Sequence, residues 1–169
     1  MTLVEMMVCV FIGTIALAVA MQVWLYTSRG FAAMQNYTDL DKNSQHALDV
    51  MSRDIRQATR LNSYVNTPTS KKLEFVDLSG NLFSFEYSSS TRTVTRKAGT
   101  QNTVLLRDCD SWDFHISQRN PSNNFSFYAT TDASQAKLID MVWTCSKQIF
   151  GTTANTETMQ SAKIVLRDH

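Results

Sequence analysis

Residues 6–26 carry no charged side chain, and Gln22 is the one strongly polar residue among them. No other feature limits the fold as much. About 21 residues at ~1.5 Å each make roughly 32 Å of helix, enough to cross a hydrocarbon core of ~30 Å. Trp24 and Tyr26 close the run and Arg29 follows it, an order that suits aromatic anchoring at headgroups and a basic side chain reaching toward water. The 169 residues suit one modest domain, typically ~100–150 residues, with an appendage. The chain therefore divides into a hydrophobic helix over 1–28 and a globular part over 29–169.

Glu5 stands at the head of this run. A carboxylate at bilayer depth costs roughly 2.5–3.5 kcal/mol on insertion scales, so it asks for a partner or a task. The dipole of its own helix returns only ~0.3–1 kcal/mol, and the amine of Met1, four residues back, is a second local partner. A basic charge on another molecule is the third. No basic region precedes the run and no small-residue cleavage site follows it, so the segment is expected to stay attached rather than be removed as a secretory signal.

Up to about Leu61 there is no proline, and the glycines are Gly13 and Gly30, which predicts one long helix. Gly13 allows either local stretching over 13–20 or a continuous helix with close packing at that point. In the second half, Leu40, Ser44, Leu48, Met51, Ile55 and Ala58 recur at spacings of three and four, a stripe that needs something to pack against. Asp39 and Asp41 lie early while Arg53, Arg56 and Arg60 lie late, complementing the helix dipole. Asp49 and Arg53 form an expected i,i+4 pair.

Beyond Asn62, short runs of β-branched and aromatic residues alternate with turn formers, the pattern of antiparallel strands. Residues 72–78 and 82–87 flank Ser79-Gly80-Asn81 as a hairpin, with Phe83, Phe85 and Tyr87 on one face. Further strands are expected over 91–96, 104–107, 112–117, 125–128, 138–145 and 162–166. Residues 120–124 read as a loop, and 146–161, rich in Thr and Ser, as a long surface loop. The fold class is α+β, a long N-terminal helix packed on a C-terminal antiparallel sheet domain.

The chemistry-bearing residues are sparse. Cys109 and Cys145 lie in the polar half, where a disulfide between them and two separate buried thiols are both open readings. His46, His115 and His169 are scattered, with no zinc spacing, so no metal ligand and no cofactor is assigned. Asp108, Asp110 and Asp113 form an acidic cluster, more readily a solvated turn than a calcium loop. No nucleophile elbow, phosphate loop or dinucleotide fingerprint appears, which argues against an enzyme and against a small-molecule substrate. Lys and Arg total 16 against 15 Asp and Glu, so a dedicated nucleic-acid binder is disfavoured. A local basic patch at Arg92, Arg96 and Lys97 motivates a membrane-tethered binding module as an alternative.

The opening residues, Met1-Thr2-Leu3-Val4-Glu5-Met6-Met7-Val8, resemble the mature start of type IV pilin-like proteins. Residues 44–58 and the strand-rich half are similar, more loosely, to the minor pilins called W and the pseudopilins called J. The resemblance implies the pilin fold, a leader removed by a prepilin peptidase that also methylates Met1, and cooperation with a pilus assembly machinery. It implies that the chain rests in the cytoplasmic membrane as a single-pass protein before self-associating into an extracellular or periplasmic filament. In that filament the 1–28 helix is core, and Glu5 neutralises the N-terminal amine, that of Met1, of a neighbouring copy. Whether the chain builds the shaft or, as a minor pilin or pseudopilin, primes or caps a pilus or a type II secretion pseudopilus stays open. Two departures stand out: Met1 where phenylalanine is commoner, and Gln22 where many members carry proline.

Overall fold

The computed structural model describes residues 2–120, 122, 126–149, 152–160 and 163–166. One uninterrupted helix, α1 (Leu3–Gln57), leads the chain. At ~1.5 Å per residue it is about 80 Å long. It passes Gly13 without a break, and a Cβ placed there would meet nothing within 4 Å. The hydroxyls of Thr14, Thr27 and Ser28 donate back to the carbonyls of Phe11, Val23 and Trp24 at 2.8, 2.8 and 2.5 Å, so these three hydroxyls are satisfied within the helix itself.

Ten strands follow: β1 (Ala58–Asn66), β2 (Ser70–Asp77), β3 (Leu82–Ser88), β4 (Thr93–Ala98), β5 (Gln101–Leu106), β6 (Cys109–Arg119), β7 (Phe127–Ala129), β8 (Leu138–Ile149), β9 (Thr152–Gln160) and β10 (Ile164–Val165). The first five make an antiparallel meander in sequence order. A second sheet runs β10-β8-β6-β7, with β9 also pairing β8. The expected α+β architecture, consistent with the pilin fold, is present, with two sheets rather than one.

A single apolar core joins these parts. Leu40, Ala47, Met51 and Ile55 on one face of α1 are fully buried with Leu73, Phe75 and Phe85 of the first sheet and Trp112, Met141 and Trp143 of the second. Phe75 stacks on Phe83 at 5.3 Å, and Phe85 meets both rings edge-on. Ser44 sits in the apolar stripe because its hydroxyl accepts the indole N–H of Trp143 at 3.2 Å, relieving a donor that would otherwise be buried unpaired.

Beyond the second sheet, the structure departs from the sequence reading in three places. The helix stops at Gln57, not near Leu61, because Ala58 turns extended (φ −70°, ψ 142°) and starts β1. That strand breaks register between Ala58 and Arg60 and again between Leu61 and Ser63, and the irregularity leaves Ala58 and Leu61 both buried at a spacing of three that imitates a helical stripe. Residues 146–161 are not a long loop: β8 runs on to Ile149 and pairs with β9 from Ile149↔Thr152 to Val142↔Gln160. Arg53 does not pair with Asp49; its Nε lies 3.5 Å from Asp54.

Candidate functional site

The first turn of α1 is closed by a reciprocal pair of hydrogen bonds. Thr2 N–H donates to Glu5 Oε2 at 2.8 Å, and Glu5 N–H donates to Thr2 Oγ1 at 3.4 Å. This is a capping box, which satisfies two of the four donors that a helix start leaves without partners. Glu5 thus has a local partner that the charge argument alone did not supply, the backbone of Thr2. Its motif, Thr-x-x-Glu before an apolar run, was present in the sequence. Met1 lies outside the described residues.

From Leu3 to Tyr26 no large apolar side chain is covered; relative exposure runs from 43% at Leu25 to 82% at Tyr26. The first buried residue of α1, Leu40, lies fourteen residues after Tyr26, about 21 Å further along the axis. Between them Ala32, Ala33 and Asn36 are half-buried, whereas Phe31, Met34 and Tyr37 are exposed. The apolar surface therefore continues past the run along one face of the helix. This rod meets every length and composition requirement of a membrane span.

Several of the domain's charged groups pair with one another. Asp54, buried at the end of α1, receives Arg96 Nε at 2.5 Å as well as Arg53. Lys97 pairs with Glu86 at 2.6 Å, and Lys72 lies between Glu74 (2.9 Å) and Glu86 (3.7 Å). The Lys72 ammonium holds the Glu74 carboxyl below its ordinary range, with Asn62 and Ser63 helping. Burial works to raise Glu86, but Lys97 and Lys72 outweigh it and the net direction is down. Lys72 is raised in turn, by its bond to Glu74.

Arg92 anchors the junction of the two sheets. Its Nη2 reaches Asp110 Oδ1 at 2.5 Å, Ser146 O at 2.8 Å, Ser146 Oγ at 3.2 Å and Asp108 O at 3.3 Å. Tyr87 donates to Asp110 O at 2.6 Å, and burial pushes its phenol up. Lys71 pairs with Asp113. Arg92 (φ 50°) and Asp108 (φ 55°) both hold left-handed backbone, a conformation that costs on the order of 1 kcal/mol or more outside glycine. The bond from Cys109 N–H to Arg92 O at 2.9 Å helps hold it. Of the basic patch read from the sequence, Arg92 meets Asp110 of the acidic cluster, whereas Arg96 and Lys97 pair with Asp54 and Glu86 outside it; each of the three has an acid within this chain.

Cys109 and Cys145 are directly opposed across β6 and β8. Both are buried and stand as free thiols. A hydrogen bond with Cys145, then burial, push the Cys109 thiol up, and its Sγ donates to Ser111 O at 3.2 Å. Cys9, by contrast, is exposed on the rod. Among the described residues no group of three or more His, Cys, Asp or Glu could hold a metal ion; His169 lies outside them. A cleft of about 710 Å³ opens at the end of α1 between the β2–β3 and β4–β5 turns, where Asp54, Gln57, Asp77, Phe83 and Arg96 line it. Its guanidinium and deepest carboxylate are the pair already described.

Compared with protein-family models, with curated proteins and with solved structures, the chain has no match.

Proposed function

We propose that this chain is a structural subunit of a type IV pilus or pilus-like filament, held first in a membrane by its apolar helix and then assembled by bundling those helices. The observation that carries the reading is the uncovered rod. Sixteen large apolar side chains between Leu3 and Tyr26 are exposed, and covering each is worth about 1.5–3 kcal/mol. The total, of order tens of kcal/mol, means that lipid or other protein must enclose them. Both environments are equally apolar, so passing from one to the other costs little hydrophobic energy.

Glu5 gives that exchange a direction. In lipid its carboxylate has the capping bond to Thr2 but no counter-charge among the described residues. In a bundle, the cationic terminus of a neighbouring copy would supply one, and the pair would form only at one axial register, because an unmatched buried charge costs several kcal/mol. The packed domain begins ~21 Å beyond the rod and pairs Lys71, Lys72, Arg92, Arg96, Lys97 and Lys147 with its own acids, so it suits an outer layer around such a core. The work is assembly rather than catalysis.

Microscopy of filaments sheared from cells, with mass analysis of their subunits, tests this. The expected result is filaments containing this chain with a methylated Met1 at its start; surface filaments that lack the chain while it stays monomeric in the membrane would refute it. Copy number in the same preparation separates a shaft subunit from one that primes or caps.

A further inference from the structure

We infer that Cys109 and Cys145 are a cross-strand disulfide site, closed as the domain folds outside the reducing cytoplasm and fastening β6 to β8 beneath the Arg92 junction. The register supplies the geometry. Cys109 and Cys145 are Cα partners, and Ser146 N–H donates to Asp108 O at 2.9 Å. That bond links the residue after Cys145 to the residue before Cys109, which marks the cysteines as a non-hydrogen-bonded antiparallel pair. Such pairs hold their Cα atoms about 4.5 Å apart, with side chains at their closest, inside the ~4.4–6.8 Å span that a disulfide bridges. Both side chains face the same buried layer, at 0% and 1% exposure.

The exchange balances with a disulfide donor of an oxidising compartment, protein or small molecule. The thiolate of one cysteine attacks a donor sulfur, forming a mixed disulfide and releasing one donor thiol. The second cysteine's thiolate then attacks the protein sulfur of that mixed disulfide, and the other donor thiol leaves. Two protein thiols have lost two protons and two electrons, and the donor has gained them. Burial sets the order: a donor cannot reach either sulfur once α1 lies over β8, so the bond closes during folding.

The site rests on the proposed function only in placing the domain in an oxidising compartment, and two arms separate these. The full chain, reduced and unfolded in detergent, is refolded with oxidised glutathione, and a second sample is folded before the oxidant is added. Separately, the chain is taken from cells with free thiols blocked. Mass analysis of unreduced peptides should show Cys109 joined to Cys145 in the refolded and cellular samples, with closure at least tenfold slower in the prefolded one. Failure to close on refolding overturns the geometry; equal rates overturn the order. Closure in vitro with both thiols free in cells overturns the compartment. Cys109→Ala, Cys145→Ala and the double variant should lose the same midpoint of thermal unfolding, because either change removes the whole bond. Additive losses would instead indicate two separate buried thiols.

Discussion

Glu5 makes two separable contributions, and three substitutions divide them. Thr2→Val removes the hydroxyl that accepts Glu5 N–H but leaves the charge. Glu5→Gln keeps a side chain able to accept from Thr2 N–H, as capping boxes allow, but removes the charge. Glu5→Ala removes both. A cap is worth about 1 kcal/mol, so Thr2→Val should reduce subunit association by no more than about fivefold. Leaving a buried partner charge unmatched costs about 3–5 kcal/mol, or roughly 10²–10³-fold or more in association. Both Glu5 variants should therefore almost abolish filaments. None should touch the domain, because Leu40, where the core begins, is thirty-five residues from Glu5, about 52 Å along the helix. Filament and membrane pools are compared by quantitative immunoblot, and domain unfolding in detergent by near-ultraviolet circular dichroism of Trp112 and Trp143. Normal filament yield from Glu5→Gln beside loss in Thr2→Val would reduce Glu5 to a helix cap.

The Asp54–Arg96 pair should dominate the electrostatic part of domain stability. Asp54→Ala leaves a guanidinium 27% exposed without its acid, costing about 2–3 kcal/mol, below the ~3–5 of a fully buried pair; thermal unfolding should fall by roughly 5–12 °C, and a fall under 2 °C would discount the pair. For pH, the folded values of Glu74 and Glu86 lie below their unfolded ones, so their stabilisation is complete above about pH 5 and is lost as pH falls through the folded values. Lys72 is raised, so its share is complete below pH ~10 and is lost on further alkalinisation. A melting-temperature profile should be flat between these limits and drop below pH 4, less steeply at high salt because these groups are partly exposed; Lys97→Met and Lys72→Met together should flatten the acid limb.

The long helix, its exposed first half and the strand-rich remainder were legible because each rests on a run of residues with one clear period. What escaped the sequence rests on exceptions to period. The helix end was hidden by the irregular register of β1, which set Ala58 and Leu61 at a helical spacing. The β8–β9 hairpin was hidden because residues 152–158, TTANTET, offer no apolar alternation, although their threonines are β-branched strand formers. Asp54 carries no local sign of burial, and only its meeting with Arg96, forty-two positions on, accounts for it. At the candidate site, Glu5 was visible as a cost, whereas its bond to Thr2 needed the capping pattern to be read beside the charge.

The most direct test of the whole account is contact between rods. A photo-crosslinking side chain placed at Leu17, 72% exposed, is activated in intact cells, and the same group at fully buried Met51 serves as a reference. Crosslinks from Leu17 to the apolar helices of neighbouring copies, absent from the Met51 protein and lost with Glu5→Gln, are the predicted result. Leu17 attached to lipid alone, under conditions in which the cells carry surface filaments, would contradict it.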